Sequence, residues 1–376
     1  MKILLFAEYH RMGGTRTYIL QLLSFYRRQD AQVGVVKVST DDEGDDEVIS
    51  LIKSYGFTVV QMRETTSWAP RRFPFRLLAE VLQYHSCIKA FQPDVVVASV
   101  STPGRFAGVL RSAKRSLYIL HSSPYFGPEE PMWKRRVAML VYRALFGRNH
   151  QLLTVSRFSM AMIQKFWGIR AGHWLSAVYN TGGDLPAPCK MGICAPLVVL
   201  TLGHVVNYKN PLFWIAVAKK VVAELGREKV KFLWLGEGPL LNECEESVNS
   251  EGFSNDIQFL GLKREVADYY LGGAVYFQPS LVESFGLSVL DAMRYGLPCV
   301  VANTGGLPEL VSDKVSGYVE SPYDIDAMAG RIVSLLNSES LREVMGAAGR
   351  EIYSKKFSPQ VWDSSMTEIH DALAGR

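Results

Sequence analysis

Two acidic residues on either side of a predicted helix start are the first candidates for chemistry in this 376-residue chain. Glu283 precedes the helical pattern and Asp291 lies within it, with seven residues between them. The backbone N–H groups of Phe285, Gly286 and Leu287 would open the helix, where the helix dipole favours an anion. This arrangement suits a phosphorylated, polyhydroxylated ligand. The simpler alternative is that Glu283 is only an N-terminal charge and Asp291 a solvated helix residue.

A β–α–β unit must position these acids. Residues 274–278 form a short apolar run that ends at a proline, which predicts a buried strand. The helix that follows has Gly296 at its expected left-handed C-cap, and residues 298–302 form a second apolar run that leads into Gly305 and Gly306. Two such strands are parallel with a right-handed crossover, and ligands bind outside their carboxyl ends.

Loops in the first half of the chain carry further candidates. The strand pattern Lys2–Ala7 leads to Gly13 and Gly14, and glycine between a strand and a helix lets the backbone approach a phosphate. His121 directly follows another strand pattern, Leu117–Leu120. A lone histidine is usually structural, but one at the carboxyl end of a strand can also contact a ligand.

Two loops of the second half complete the set. The strand pattern Leu197–Leu202 is followed by His204 and Lys209, and Leu262 follows the strand pattern Ile257–Leu260. A lysine near two phosphates offsets the charge that grows on a leaving group. A histidine can also donate to phosphate, although it is only partly charged at neutral pH. The alternative for Lys209 is an exposed loop residue.

Composition indicates an ordinary soluble protein long enough for two domains, with 48% hydrophobic and 21% charged residues. The chain has no apolar run of 18 residues, so no membrane span is predicted. Its five cysteines are scattered and accompanied by no histidine cluster, which predicts free thiols in a reducing cytoplasm and no metal site. The start, Met1–Ala7, indicates a first strand rather than a signal peptide.

Charge is distributed unevenly between the two halves. Residues 1–190 contain 25 Lys or Arg and 14 Asp or Glu, whereas the remainder contains 16 and 23. A cationic first half suggests an anionic acceptor or a membrane surface. Trp68–Leu78 interleaves basic and aromatic residues, and Pro131–Phe146 reads as a basic amphipathic helix. Each can rest on anionic lipid, or be an ordinary basic loop and an inward-packed helix.

Together these motifs resemble the donor-binding signature of the GT-B glycosyltransferases, in particular the large retaining family 4. That signature contains Pro-Ser, Glu, Gly-Phe-Gly or a near variant, seven residues between two acids, Ala-Met, Gly-x-Pro and Gly-Gly-x-Pro-Glu. The chain carries each motif within residues 279–309, with Ser-Phe-Gly as the variant. Asp291 departs from the family's Glu, His204 from its Arg, and Thr15–Thr17 from the Glu that often follows the Gly-Gly loop.

The resemblance implies a role for each candidate. Glu283 and His121 would hold hydroxyls of the transferred sugar. Lys209, with His204, would hold the donor diphosphate, and Asp291 would bind the ribose. Glu283, His121 and Lys209 are therefore the predicted catalytic residues. The predicted donor-binding set is Gly13, Gly14, His204, Lys209, Leu262, Glu283, Phe285, Gly286, Leu287 and Asp291. Neither a metal ion nor another cofactor is expected, and no residue is an obvious nucleophile.

The implied fold is α/β of the GT-B type, with two doubly wound Rossmann-like domains facing a cleft. Residues 1–188 would form the acceptor-side domain and residues 189–356 the nucleotide-sugar-binding domain. Residues 357–376 would form a helix that crosses back to the first domain.

The implied function is transfer of a sugar, with retention, from a UDP- or GDP-linked donor to a glycan or lipid-linked acceptor. Synthesis of cell-envelope polysaccharide, in the cytoplasm or on the inner face of the plasma membrane, fits the basic first half, and no nucleic-acid partner is expected. A nucleotide-sugar epimerase and a glycogen-synthase-like polymerase are the enzymatic alternatives. His204 and Asp291 keep open a non-catalytic partner subunit with the same fold.

Overall fold

The computed structural model describes residues 1–7, 14–38, 45–62, 73–101, 106, 108–109, 113–122, 136, 140, 150–168, 174–182 and 196–375. The strands are β1 (Lys2–Ala7), β2 (Gln32–Val38), β3 (Thr58–Met62), β4 (Val95–Val100), β5 (Ser116–Leu120), β6 (His150–Thr154), β7 (Leu175–Ala177), β8 (Leu197–Leu202), β9 (Val230–Leu235), β10 (Ile257–Phe259), β11 (Val275–Gln278), β12 (Cys299–Ala302) and β13 (Gly317–Glu320). The helices are α1 (Gly14–Arg28), α2 (Asp45–Ser54), α3 (Phe73–Phe91), α4 (Arg157–Trp167), α5 (Pro211–Leu225), α6 (Leu241–Ser250), α7 (Ala267–Gly272), α8 (Leu287–Tyr295), α9 (Leu307–Leu310), α10 (Ile325–Leu336), α11 (Glu339–Lys356) and α12 (Pro359–Ala374).

The chain divides into two compact units. The first contains Met1–Tyr179 together with Asp363–Arg376, and the second contains Asn180–Trp362. Three features of the sequence analysis lie outside the residues whose side chains are described, apart from Arg136 and Leu140. They are the predicted boundary between residues 188 and 189, Gly13, and the two basic segments Trp68–Leu78 and Pro131–Phe146. Within the described part of the chain, no helix is both long and apolar enough to cross a membrane.

The first unit is built on a seven-stranded sheet in the order β3-β2-β1-β4-β5-β6-β7. Every adjacent pair of its strands is parallel. A parallel sheet is covered on both faces, which explains why its strands are continuous apolar runs rather than alternating patterns. Phe6, Val96, Tyr118, Leu152 and Trp167 lie in its buried core.

The second unit repeats this design with a six-stranded parallel sheet in the order β10-β9-β8-β11-β12-β13. Trp214 of α5 packs edge-on against Trp234 of β9, with ring centroids 5.2 Å apart. The indole of Trp214 donates to Thr201 Oγ1 over 2.7 Å, and Thr201 donates to the carbonyl of Phe277 over 2.6 Å. The first bond joins α5 to β8, and the second joins β8 to β11, the two strands between which the strand order reverses.

The predicted fold class is confirmed, because each unit is a doubly wound, Rossmann-like α/β layer. In each sheet the chain adds strands outward on one side of the first strand and then crosses over to add strands on its other side. This reversal lies between β1 and β4 in the first unit and between β8 and β11 in the second. Loops that leave the carboxyl ends of such strand pairs are where ligands of open α/β sheets bind.

The last helix, α12, returns to the first unit. His370 Nε2 lies 3.1 Å from the hydroxyl of Tyr26, and both side chains are buried. Arg28 donates to both carboxylate oxygens of Asp363, over 2.9 and 2.7 Å. Residues from Asp363 onward therefore pack with α1, although they are separated from it by the entire second unit in sequence.

Candidate active site

An ion pair between Lys209 and Glu283 marks the switch point of the second sheet. Lys209 ends a 3₁₀ turn in the loop after β8, and Glu283 lies in the loop after β11. Lys209 Nζ donates to Glu283 Oε2, and the two side chains are only 14% and 15% exposed. The carbonyl of Tyr208 accepts from the backbone N–H of Leu281 over 2.8 Å, which joins the two loops directly. The structure therefore brings two of the candidate residues, Lys209 and Glu283, into direct contact.

The buried side-chain amide of Gln278 hydrogen-bonds to the carboxylate of Glu283. Gln278, the last residue of β11, is 1% exposed and donates through Nε2 to Glu283 Oε2 over 2.8 Å. Its Oε1 accepts from the hydroxyls of Ser288 (3.0 Å) and Tyr276 (3.1 Å). Its Nε2 also lies 3.2 Å from Ser280 Oγ. Gln278 is not among the residues predicted for the site, and its only sequence signal is an amide at the end of an otherwise apolar strand.

The Gly-Gly loop after β12 supports the backbone of Glu283. A Cβ on Gly305, which has a φ of 58°, would lie 1.7 Å from the carbonyl oxygen of Glu283. A Cβ on Gly306 would lie 2.6 Å from the carbonyl oxygen of Ser284. The N–H of Gly306 donates to Glu283 O over 3.0 Å. Only glycine permits this approach, so the two residues hold the Glu283 loop in place.

The loop after β8 is equally close-packed. The Cβ position of Gly203 is 3.6 Å from Lys209 Cε, so the lysine stem lies over this glycine. A Cβ on Gly236 would lie 2.0 Å from Gly203 O. His204 is exposed beside this turn, and Leu262 is 47% exposed after the bridge between Gly236 and Gly261. His204 and Leu262 therefore have surfaces accessible to a ligand.

The helix start differs from the prediction in detail. The helix α8 begins at Leu287, and Gly286 is its N-cap with a φ of 111°. Phe285 precedes the helix and is buried, with its ring 6.0 Å from that of Phe357. The residues in the first turn are therefore Leu287 and those after it, because the left-handed Gly286 delays the helical conformation.

Asp291 lies on α8 one turn beyond this start, beside a different segment from Glu283. Its Oδ1 is 2.9 Å from the point that a Cβ on Gly182 would occupy, and Tyr353 Oη is 3.0 Å from that point. Burial raises the pKa of the Tyr353 hydroxyl, and the nearby Asp291 carboxylate raises it further. The structure thus places Asp291 against the segment that enters the second unit.

In the first unit, His121 follows β5 at the carboxyl edge. Its Nε2 lies 2.8 Å from Ser99 Oγ, and its ring meets that of Tyr18 edge-on at 4.5 Å. Burial lowers the pKa of His121 to about 3, so the imidazole is neutral at pH 7. Gly14 is the first residue of α1, and the neighbouring Thr15 hydroxyl contacts that of Ser101 after β4. A neutral imidazole at this edge can share hydrogen bonds with hydroxyl groups.

These features define two sets of side chains, one at the carboxyl edge of each sheet. The second unit contributes a cation, a carboxylate and a helix N-terminus, which are the groups that hold phosphates and sugar hydroxyls. The first unit contributes His121 and the start of α1. Among the described residues, no cluster of three His, Cys, Asp or Glu side chains is arranged to hold a metal ion.

Two known families match this chain, one in each unit. The family described as "Glycosyl transferases group 1" matches residues 195–352, and the family described as "Glycosyl transferase 4-like domain" matches residues 13–175. The chain belongs to the family-4 glycosyltransferases. Each family match corresponds to one of the two sheets, so the family-4 signature extends over both units.

Two curated relatives illustrate the range of this family. The chain is 30% identical over 155 residues to N-acetyl-alpha-D-glucosaminyl L-malate synthase of Bacillus anthracis, covering 41% of this chain and 40% of the relative. It is 26% identical over 145 residues to UDP-Gal:alpha-D-GlcNAc-diphosphoundecaprenol alpha-1,3-galactosyltransferase of Escherichia coli, covering 38% of each. The matches therefore span about two fifths of these relatives' length.

The fold of this family-4 glycosyltransferase is shared along its whole length with solved structures. The Anabaena protein HepE in complex with UDP aligns with a TM-score of 0.77 at 19% identity, over 99% of this chain and 100% of that one. The glycosyltransferase from Rickettsia africae aligns with a TM-score of 0.79 at 14% identity, over 99% and 98%. Likeness at this identity establishes the common GT-B fold.

Proposed function

We propose that this protein transfers a sugar from a nucleotide-sugar donor, with retention, to a glycan or lipid-linked acceptor. The observation that carries the proposal is the Lys209–Glu283 pair at the switch point of the second sheet. Lys209 has three N–H donors, so it can remain paired with Glu283 and still donate to a diphosphate. Glu283 can then accept from sugar hydroxyls, while the cation and the start of α8 stabilise the departing nucleoside diphosphate.

The names of similar proteins and the charge distribution support the choice of donor and acceptor classes to test. The solved HepE structure contains UDP, and the name of the Escherichia coli relative specifies a UDP-linked donor and a diphosphoundecaprenol acceptor. These names make UDP the first nucleotide to test and a lipid-linked glycan the first acceptor. The basic first half of the chain is consistent with an anionic acceptor at the inner face of a membrane.

Nucleotide binding is the first test. Calorimetric titration with UDP, GDP and ADP should show selective binding of one nucleoside diphosphate. Lys209→Met should weaken that binding by about 10- to 100-fold, since a hydrogen bond to a charged group contributes about 1.5–3 kcal/mol. Lys220→Met is a matched control, because Lys220 is an ion-paired surface lysine of the same unit. Equal affinity in the two variants would remove Lys209 from the diphosphate site.

Turnover is the second test. Mass spectrometry should detect slow hydrolysis of the matching nucleotide-sugar, and Glu283→Ala should lower that rate by orders of magnitude while leaving nucleotide affinity largely unchanged. NMR of the transferred sugar should show the anomeric configuration of the donor. Binding of a nucleoside diphosphate without hydrolysis or transfer of any donor would favour the non-catalytic partner subunit, and an epimerised nucleotide-sugar would favour the epimerase.

A further inference from the structure

The amide of Gln278 is hydrogen-bonded at every position available to it. Its two N–H groups have two partners, Glu283 Oε2 and Ser280 Oγ, and its carbonyl oxygen has two, the hydroxyls of Ser288 and Tyr276. Since a carboxylate can only accept, the amide nitrogen must be the end that contacts Glu283. The orientation of Gln278 is therefore determined by chemistry.

Both protein contacts of the Glu283 carboxylate fall on the same oxygen. Lys209 Nζ and Gln278 Nε2 each donate to Oε2, and no hydrogen bond from a described residue reaches Oε1. Two donors from different directions restrict rotation of a carboxylate more than a single ion pair does. The arrangement leaves Oε1 as the oxygen able to accept from a ligand.

We propose that Gln278 is a positioning residue that holds Oε2 of Glu283 so that Oε1 is presented to a hydroxyl group of the donor sugar. The proposal rests on the proposed function, in which Glu283 contacts the sugar. It assigns to Gln278 an effect on the transition state for transfer and none on the binding of the nucleoside diphosphate. A misplacement of about 1 Å at a reacting centre can cost about 100-fold in rate.

The first variant removes the amide and keeps an apolar side chain of similar size. Gln278→Leu should lower kcat for donor hydrolysis or transfer by about 100-fold and leave nucleoside diphosphate affinity within about twofold. Tyr276→Phe is the matched control, because it removes a hydrogen bond from the opposite end of the same buried amide without touching Glu283. Its kcat should fall less than about fivefold. An equal loss in both variants would overturn the proposal in favour of general scaffolding.

The second variant should make the position of the Glu283 carboxylate depend on pH. Gln278→Glu is isosteric, and the introduced carboxyl can donate to Glu283 only while it is protonated. Two carboxyl groups in contact share a proton, which is lost at an apparent pKa above that of an isolated carboxyl. The kcat of this variant relative to the parent protein should therefore be at least 10-fold lower at pH 8.5 than at pH 6. Parallel pH profiles would overturn the proposal.

A crystal structure of Gln278→Leu decides the positional claim without any activity measurement. The Glu283 carboxylate should occupy a different rotamer or lose its single orientation, whereas Lys209 and the backbone of residues 278–283 remain in place. An unchanged carboxylate would show that Lys209 alone positions Glu283, and the proposal would fail. Absence of turnover in the parent protein would instead overturn the proposed function and leave the structural result to decide the role of Gln278.

Discussion

Asp291, which stands where the family pattern has Glu, packs against the Gly182 segment. The shorter carboxylate lies against Gly182 and near Tyr353, in the segment that leads into the second unit. An ionised carboxylate has about four lone-pair sites, so contact with this segment still leaves capacity for the two hydroxyls of a ribose. A water molecule can fill the space left by the missing methylene group. Asp291 can therefore bind the nucleotide, support the segment, or do both.

Substitution of Asp291 separates these roles. We expect Asp291→Ala to weaken nucleoside diphosphate binding by about 10- to 100-fold and Asp291→Asn to weaken it less, because the amide keeps the shape without the charge. Calorimetry with the selected nucleotide measures both. Glu283→Ala is the control and should bind the nucleotide normally. Unchanged affinity combined with a lower melting temperature in Asp291→Ala would assign the residue to support of the Gly182 segment alone.

At the scale of elements, close backbone contact between loops holds the geometry of the candidate site. The glycine loop after β12 presses on the carbonyl of Glu283, while the loop after β8 presses on the strand end at Gly236. Both contacts are made by backbone atoms, which cannot move apart by a change of side-chain rotamer. Each loop therefore transmits a change in its own conformation directly to Lys209 or Glu283.

A methyl group at Gly305 should disrupt this support. Gly305→Ala would bring Cβ to 1.7 Å from a backbone oxygen, so the Glu283 loop must shift. We expect kcat to fall at least 100-fold in a folded variant, measured by donor hydrolysis. Gly252→Ala is the control, because Gly252 also has a positive φ (72°) but nothing within 4 Å of its Cβ position. It should cost about 1–2 kcal/mol in stability, from the left-handed φ alone, with normal kcat.

The packing of α12 on α1 should depend on pH through His370. Burial lowers the pKa of His370 from 6.5 to about 4. Between these two pH values the unfolded chain is protonated at this residue and the folded protein is not. The contribution of neutral His370 to the free energy of unfolding is fully present above pH 6.5 and is lost as the pH falls toward 4. We expect this group alone to cost about 2 kcal/mol of unfolding free energy between pH 7 and pH 5.

Urea unfolding at the two pH values tests this expectation. His370→Gln keeps a hydrogen-bonding group for Tyr26 but cannot titrate, so its stability should fall by about 2 kcal/mol less than that of the parent protein over this interval. His85→Gln changes an exposed histidine of α3 and should retain the parent pH dependence. If His370→Gln also retained the parent pH dependence, the buried imidazole of His370 would not be the cause of the stability loss at low pH.

At the scale of the whole molecule, charge separates the two halves of the chain. The first 190 residues have an excess of 11 basic residues and the rest an excess of 7 acidic residues. Anionic lipid attracts clustered Lys and Arg with about 1 kcal/mol for each residue near the surface, and salt screens the attraction. A lipid-linked acceptor would be found at such a surface.

We expect the protein to sediment with vesicles that contain anionic lipid and to be released by 0.5 M salt, a concentration at which screening extends only about 4 Å. Replacement of Lys134, Arg135 and Arg136 by Glu should abolish most of this binding. Replacement of Lys355 and Lys356 by Glu, in α11 of the second unit, is the control and should have little effect. Equal sedimentation with neutral and anionic vesicles would indicate a soluble acceptor.

The sequence alone determined the repeated α/β pattern, the family resemblance and most of the candidate residues. Strand runs, the Gly296 cap and the Gly-Gly motifs are local signals, because period and backbone freedom act within a few residues. The delayed start of α8 was missed. Gly286 has a φ of 111°, and a Cβ there would lie 2.8 Å from Leu307 Cδ2, a contact that no local pattern shows.

The tertiary structure alone decided which groups meet. Lys209 and Glu283 are 74 residues apart, and Tyr26 and His370 are 344 apart. Contacts at such separations depend on strand order and on packing, which no local pattern contains. The same is true of Gln278, whose neighbours in sequence predict only a buried strand. Only the folded sheet and the loop after it place four hydrogen-bonding partners around this one buried amide.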